Sequence, residues 1–267
     1  MSAGPRPDPT RTRLLERVGL GTDAWEVWED DHLRWLQLGD GTVQSMMHRD
    51  RPAALALPYT RAMAASLLFE PRPQTALLLG LGGGSLARFL GATVPGIGLR
   101  AAELDPEVVR LARTYFALPP GLDAIAVADA RIVLADQPDP ADLVLVDLFG
   151  VEGLPRFVLE PDLYRLIRMR LSPAGIVVAN LWVRDDDEFL GVIGGMREVF
   201  DGRVLVIDVP GFRNLVAIAF ASPAAGHPIA ELRARARELR HRTGVDFGSL
   251  VERLTVCNLV HRGALVP

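Results

Sequence analysis

The chain has 267 residues, 49% of them apolar, which is enough for one large domain or a large domain with a small companion. A formal charge of −4 supplies no basic surface for a nucleic-acid backbone or an anionic membrane, so the partner expected is a small molecule. All 29 basic Lys/Arg positions are arginine and the one cysteine is Cys257, which excludes lysine nucleophiles, Schiff bases, the lysine-bearing phosphate loop and an intrachain disulfide.

Residues 1–13 are rich in Pro and Arg and read as a disordered tail, without the apolar stretch of a signal peptide. No apolar run is long enough to span a bilayer, so a cytoplasmic location is expected. Residues 14–57 read as a small β region: residues 25–29 and 33–38 alternate, Gly39-Asp40-Gly41 supplies a turn, and Thr42-Val43-Gln44 resumes the extension. Residues 59–69 carry helical apolar spacing that Pro71 and Pro73 close.

A regular alternation then occupies residues 58–224. Residues 76–80 form an apolar strand running into glycines, and residues 97–103 a second strand ending on Glu103. Asp105-Pro106-Glu107 opens a helix with an N-cap, a proline at the first position and an acid in the first turn. Residues 124–128 make a third strand ending at Asp129, and residues 143–146 a fourth ending at Asp147. Helix 159–171, a turn at 172–175, strand 176–181, helix 186–200 and a hairpin of 204–209 with 215–220 complete the unit. Strands apolar on both faces belong to a buried parallel sheet, so the fold expected is α/β: a doubly wound, mostly parallel, seven-stranded sheet with an antiparallel strand near one edge. Residues 225–267 read as a helical extension, with an arginine-rich amphipathic helix over 228–243.

In such a sheet ligands bind beyond the carboxyl ends of the strands. The turn Gly80-Leu81-Gly82-Gly83-Gly84 is either a ligand cradle or only a tight strand-to-helix turn. Glu103 can accept hydrogen bonds from ribose hydroxyls or be a solvated strand end. Asp129, followed by Ala130, can accept from an adenine amine, cap the next helix, or both. Asp147 can handle a proton on an attacking amine or cap the loop that follows it. That loop, residues 148–155 with Phe149 near its start, is apolar and flexible at two glycines, as a cover over the site would be. The five histidines are scattered and Cys257 has no cysteine partner, so no metal site is expected; the thiol reads as an apolar filler or a reactive group.

These residues, in this order, resemble the spermidine synthase (polyamine aminopropyltransferase) family, over roughly residues 25–222, on the class I methyltransferase architecture. The resemblance implies that Gln44 contacts the ligand, that Tyr59-Thr60-Arg61 lies on a Tyr-His-Glu motif at the substrate, and that Gly80 to Gly84 lies on a Gly-Gly-Gly-Asp-Gly motif. It further implies that Glu103 binds ribose, that Asp129 and Ala130 sit at adenine, that Asp147 is catalytic, and that Pro155 with residues 159–164 corresponds to a gate loop and the helix after it. The co-substrate implied is S-adenosylmethionine or its decarboxylated form; a homodimer is also expected. Three positions depart from the family pattern. Gly83 replaces an aspartate, Arg61 a glutamate, and Gly150 a second acid, so the nucleoside half of the site is present and the polyamine half is not. The expected function is a spermidine synthase-like transferase of an aminopropyl or related group with polyamines as poor acceptors. The alternatives are a methyltransferase of a small molecule or a nucleoside binder without turnover; an NAD-dependent dehydrogenase fits the glycine spacing less well.

Overall fold

The computed structural model describes residues 7, 11–122, 124–136, 139–150, 153–223 and 226–267. Most of the expected tail, residues 151–152 of the loop after Asp147, and the boundary expected at 224–225 lie outside the described residues.

A four-stranded antiparallel meander comes first: β1 (Arg13–Val18), β2 (Trp25–Glu29), β3 (Leu33–Leu38) and β4 (Val43–His48). β1 begins on Arg13, the last residue of the expected tail, and lies in the expected β region ahead of its first alternating run; it is held by pairing with β2. Two short helices follow, α1 (Pro58–Met63) and α2 (Ser66–Phe69), where the sequence suggested one.

The large sheet alternates with helices: β5 (Thr75–Leu79), α3 (Ser85–Thr93), β6 (Gly98–Glu103), α4 (Pro106–Tyr115), β7 (Ile125–Val127), α5 (Ala130–Asp136), β8 (Ala141–Val146), α6 (Pro161–Arg170), β9 (Leu171–Trp182), α7 (Asp186–Val199), β10 (Val204–Asp208) and β11 (Asn214–Phe220). The order across its seven strands is β10-β11-β9-β8-β5-β6-β7, parallel from β9 to β7, with β11 antiparallel to both neighbours. The apolar runs follow from burial on two faces. Leu78, Ala101, Leu145 and Val178 pack into one core, while their neighbours Leu79, Ala102, Val146 and Ala179 pack into the other. The strand order reverses between β5 and β8, which opens a crevice at their carboxyl ends.

Residues 172–175, read from sequence as a turn, are an interruption inside β9. The ladder jumps from Ala141↔Leu171 to Leu143↔Ile176, and the looped-out Ser172 donates to Asp142 at 2.7 Å.

The meander docks on α4 through Val27, Leu36 and Met47 against Val108, Leu111 and Phe116. The Trp25 indole donates to Asp105 at 2.7 Å, a bond to a charged acceptor of the kind that contributes about 1.5–3 kcal/mol. Asp105 also caps α4, accepting from the Glu107 amide at 2.8 Å.

The C-terminal part contains β12 (His227–Pro228), α8 (Ile229–Thr243), α9 (Phe247–Cys257), β13 (Val260–His261) and β14 (Ala264–Leu265). Sequence reading found α8 but not α9, whose signal is plain in retrospect. Asp246 caps it, and Phe247, Leu250, Val251 and Leu254 form one buried face. No helix among the described residues is long and apolar enough to cross a membrane.

Candidate active site

A cavity of about 320 Å³ lies at the crevice, floored by the ends of β5, β6 and β8 and roofed by Trp25, Leu36, Gln44 and Ser45 of the meander. The meander therefore closes a site that the parallel sheet alone would leave open.

The chain passes from β5 into α3 through the glycine turn. Gly80 has φ +94, and a Cβ there would stand 2.1 Å from the Asp147 carbonyl oxygen, so only glycine lets the ends of β5 and β8 meet. Glu103, at the end of β6, reaches across. One carboxylate oxygen accepts from the amides of Leu81 at 3.0 Å and Gly82 at 3.3 Å, and the other from the Asp105 amide at 3.2 Å. Gly80, Gly82 and Glu103 all line the cavity.

Asp129 and Ala130 line its far end. Asp129 does cap α5, accepting from the Arg131 amide at 2.8 Å, and it pairs with the Arg131 guanidinium at 2.7 Å. That guanidinium holds its carboxyl below the usual range. Arg131 in turn lies 4.3 Å over the ring of Phe157, another wall residue.

Asp147 follows β8 and is partly buried in the cavity wall. Burial pushes its carboxyl up to about 6; hydrogen bonds from Asn180 and Tyr59 pull it down, and the charge of Glu103 pushes it up. Asn180, 0% exposed on β9, donates to Asp147 Oδ1 at 2.8 Å, and Asn214 on β11 donates to Asn180 Oδ1 at 3.0 Å. A three-residue relay thus runs across β11, β9 and β8. Tyr59 lies within the cavity wall, its hydroxyl bonded to Asp147 and 3.4 Å from the Gln44 carbonyl oxygen. Burial and the Asp147 charge raise the Tyr59 pKa, so at neutral pH it is a proton donor in a hydrogen bond.

Phe149 also lines the cavity, whereas Gly83, Gly84 and Arg61 do not. Gly83 turns towards the meander; a Cβ there would stand 2.7 Å from Ser45 Oγ and 3.0 Å from Phe116 Cδ1. Gly84 is the residue preceding α3, in the left-handed region at φ +74. Arg61, expected at the substrate, donates instead to the carbonyls of Leu55 and Ala56, each at 2.9 Å. A half-buried guanidinium has five donors to satisfy, and these carbonyls take two of them.

Sequence reading missed Asn180 and Asn214, which sit in or beside apolar strands, and Ser45 and Ser85, whose hydroxyls lie 3.2 Å apart in the cavity wall. Four carboxylates line the cavity, Glu103, Asp105, Asp129 and Asp147, and no arginine or histidine among the described residues does. Such a lining favours a ligand with a cationic centre. Among the described residues no cluster of three or more His, Cys, Asp or Glu could hold a metal.

The fold and site have counterparts among known proteins. A polyamine aminopropyltransferase of Chromobacterium violaceum is 34% identical over 260 residues, covering 97% of this chain and 99% of its own. The crystal structure of a probable spermidine synthase from Corynebacterium glutamicum superposes with a TM-score of 0.72 at 24% identity, over 96% of this chain and 98% of its own. Human methyltransferase-like protein 13, solved in complex with SAH, superposes with a TM-score of 0.58 at 25% identity, over 69% of this chain and 88% of its own. No family model matches the chain. The likeness in sequence runs nearly end to end and takes in the meander as well as the sheet, so the chain belongs to the polyamine aminopropyltransferase (spermidine synthase) family, built on the methyltransferase fold.

Proposed function

We propose that the chain is a transferase that takes an adenosyl sulfonium donor, S-adenosylmethionine or its decarboxylated form, and passes an aminopropyl or related group to an amine. In this reading Glu103 holds the ribose hydroxyls, Asp129 and Ala130 the adenine end, and Gln44, Tyr59 and Phe149 the wall around the reacting groups. The observation that carries it is Asp147: a carboxylate pushed up to about 6, inside an acid-lined cavity, facing the tyrosine that bonds it.

The chemistry follows from that placement. The amine lone pair attacks the carbon bonded to sulfur; the N–C bond forms as the C–S bond breaks, and its electron pair stays on sulfur. The sulfonium becomes a neutral thioether, and the proton of the new ammonium passes to Asp147. A base with a pKa near 6 is ionised at neutral pH yet basic enough to share that proton in the transition state. The Tyr59 hydroxyl and the Asn180 amide hold the carboxylate in the cavity wall.

Methyl transfer from intact S-adenosylmethionine is a second reading, favoured by Gly83. No acid stands there to hold the free ammonium of an aminopropyl donor, and the contact with Ser45 leaves no room for one. Calorimetric titration with methylthioadenosine, S-adenosylmethionine and decarboxylated S-adenosylmethionine tests the shared core of both readings. All three are expected to bind, and competition between them to show one site. A protein that binds none of them is not an adenosyl-donor transferase.

A further inference from the structure

Strand β9 is apolar from Ile176 to Leu181 except at Asn180, which is 0% exposed. An amide is poorly suited to that place. Both its ends must find partners away from water, and an apolar residue would need neither. Both ends do find partners, and both partners are side chains of the neighbouring strands. On one side Val146 pairs with Ala179, so Asp147 stands next to Asn180. On the other side Val216 pairs with Asn180, and Asn214, two residues before Val216, presents its side chain on the same face. The bonds are 2.8 Å from Asn180 to Asp147 and 3.0 Å from Asn214 to Asn180.

Chemistry fixes the direction of this chain. An ionised carboxylate only accepts, so Asn180 turns its nitrogen to Asp147 and its oxygen to β11. That oxygen only accepts, so Asn214 must turn its own nitrogen to it. If the Asn180 amide rotated by half a turn, its oxygen would face the carboxylate and repel it. Such a repulsion is strong in a partly buried site of low dielectric. Neither asparagine is among the residues that line the cavity, so both reach the chemistry only through Asp147.

We infer that Asn180 and Asn214 are positioning residues acting in series: Asn180 holds the Asp147 carboxylate in place and ionised, and Asn214 holds the Asn180 amide in the orientation that donates. The inference rests on the transferase reading above for the part that Asp147 plays in the reaction. Two other ionisable groups face Asp147 among the described residues. Tyr59, from α1, donates to it, and Glu103, from the end of β6, opposes its ionisation. Strands β9 and β11 carry no charged residue, so what they contribute to the carboxylate is the pair of amides.

The experiment follows the Asp147 carboxyl itself, by carbon NMR of protein labelled at the aspartate side-chain carboxyls and titrated without donor or acceptor. The resonance is assigned by its loss in Asp147→Asn. In the wild type it is expected to titrate at about 6. Asn180→Leu keeps the size and removes the donor. It is expected to raise the midpoint by about one pH unit or more, the scale of one hydrogen bond to a charged group. Asn214→Leu should move it in the same direction, and the double variant should titrate no higher than Asn180→Leu alone, because the two act through one bond. The acidic limb of kcat/KM, measured with decarboxylated S-adenosylmethionine and putrescine, is expected to move with the carboxyl while methylthioadenosine affinity holds. A midpoint unmoved in either single variant, shifts that add in the double variant, or a limb that stays at its wild-type pH while the carboxyl moves would each overturn the inference. If Asn180→Leu does not fold, Asn214→Leu, at a position only partly buried, decides alone. A carboxyl that shifts as expected in a protein that binds no methylthioadenosine supports the relay and counts against the transferase reading instead.

Discussion

The acid-lined cavity and a neighbouring groove lined by Arg156, Trp182, Arg184 and Arg213 share Gly150 and Pro155 and differ in charge and in where their residues sit. The cavity's acids stand at the ends of buried strands or at the helix caps that follow, and each also answers a structural need. Glu103 ties down the glycine turn, Asp105 and Asp129 cap helices, and Asp147 anchors the Asn180 relay. The groove's arginines sit outside the strands, and among the described residues only Arg184 has a carboxylate partner there. A binding surface that doubles as scaffold is hard to change without unfolding the sheet. One built on loop side chains can be re-specified cheaply. On the proposed function the strand-end acids of the cavity are therefore the fixed part of this molecule and the loop-borne groove the adjustable part.

The sharpest way to break that division is at Asp147. Asp147→Asn keeps the shape and removes the base. Turnover with any acceptor is expected to fall by about 10²–10⁴, while methylthioadenosine affinity, carried by Glu103 and Asp129, changes much less. In the wild type the base must be ionised, so kcat/KM should rise as the pH climbs through about 6 and level off above it; the Asn variant should lose that limb. An unchanged rate would leave Asp147 as a loop cap and the protein as a nucleoside binder.

A smaller effect isolates the fixed half. Glu103→Ala should weaken methylthioadenosine binding by about 1.5–3 kcal/mol, the range for hydrogen bonds to a charged group, measured by titration calorimetry on protein checked for an intact fold. If affinity holds, the carboxylate serves the backbone amides of Leu81, Gly82 and Asp105 and not the ligand. The smallest effect lies at the donor's tail. Intact S-adenosylmethionine should bind more tightly than its decarboxylated form by about 1 kcal/mol, because the start of α3 favours negative charge and Gly83 offers no acid to oppose it. Equal or reversed affinities in the same titration would place the donor among aminopropyl carriers.

The fixed half was also the legible half. Apolar runs ending on an acid have few interpretations, because a buried parallel strand needs both faces apolar and its first solvent-facing residue lies where ligands bind. Glu103, Asp129 and Asp147 were all found by that rule, and the cavity includes them all. What escaped depends on which strands become neighbours. Asn180 sits in an apolar run and acquires its meaning only because β9 pairs between β8 and β11. The closeness of Gly83 to Ser45 is a contact between the sheet domain and the meander, with no trace in either segment alone. Arg61 was placed at the substrate by the motif that Tyr59-Thr60-Arg61 resembles, but the residue type differs there, and the guanidinium folds back onto carbonyls.

The Asn214–Asn180–Asp147 relay joins the hairpin of β10 and β11 to the Asp147 carboxylate. Strand β11 and the edge strand β10 form that hairpin, and edges are where a sheet opens first. A one-residue slip of β11 would turn Asn214 to the opposite face and leave the buried Asn180 oxygen without its donor. The alignment of the Asp147 carboxylate thereby depends on the register of a strand two places away in the sheet. A substitution that shifts β11, read as lost amide-exchange protection in that strand, should lower activity even though β11 touches no ligand.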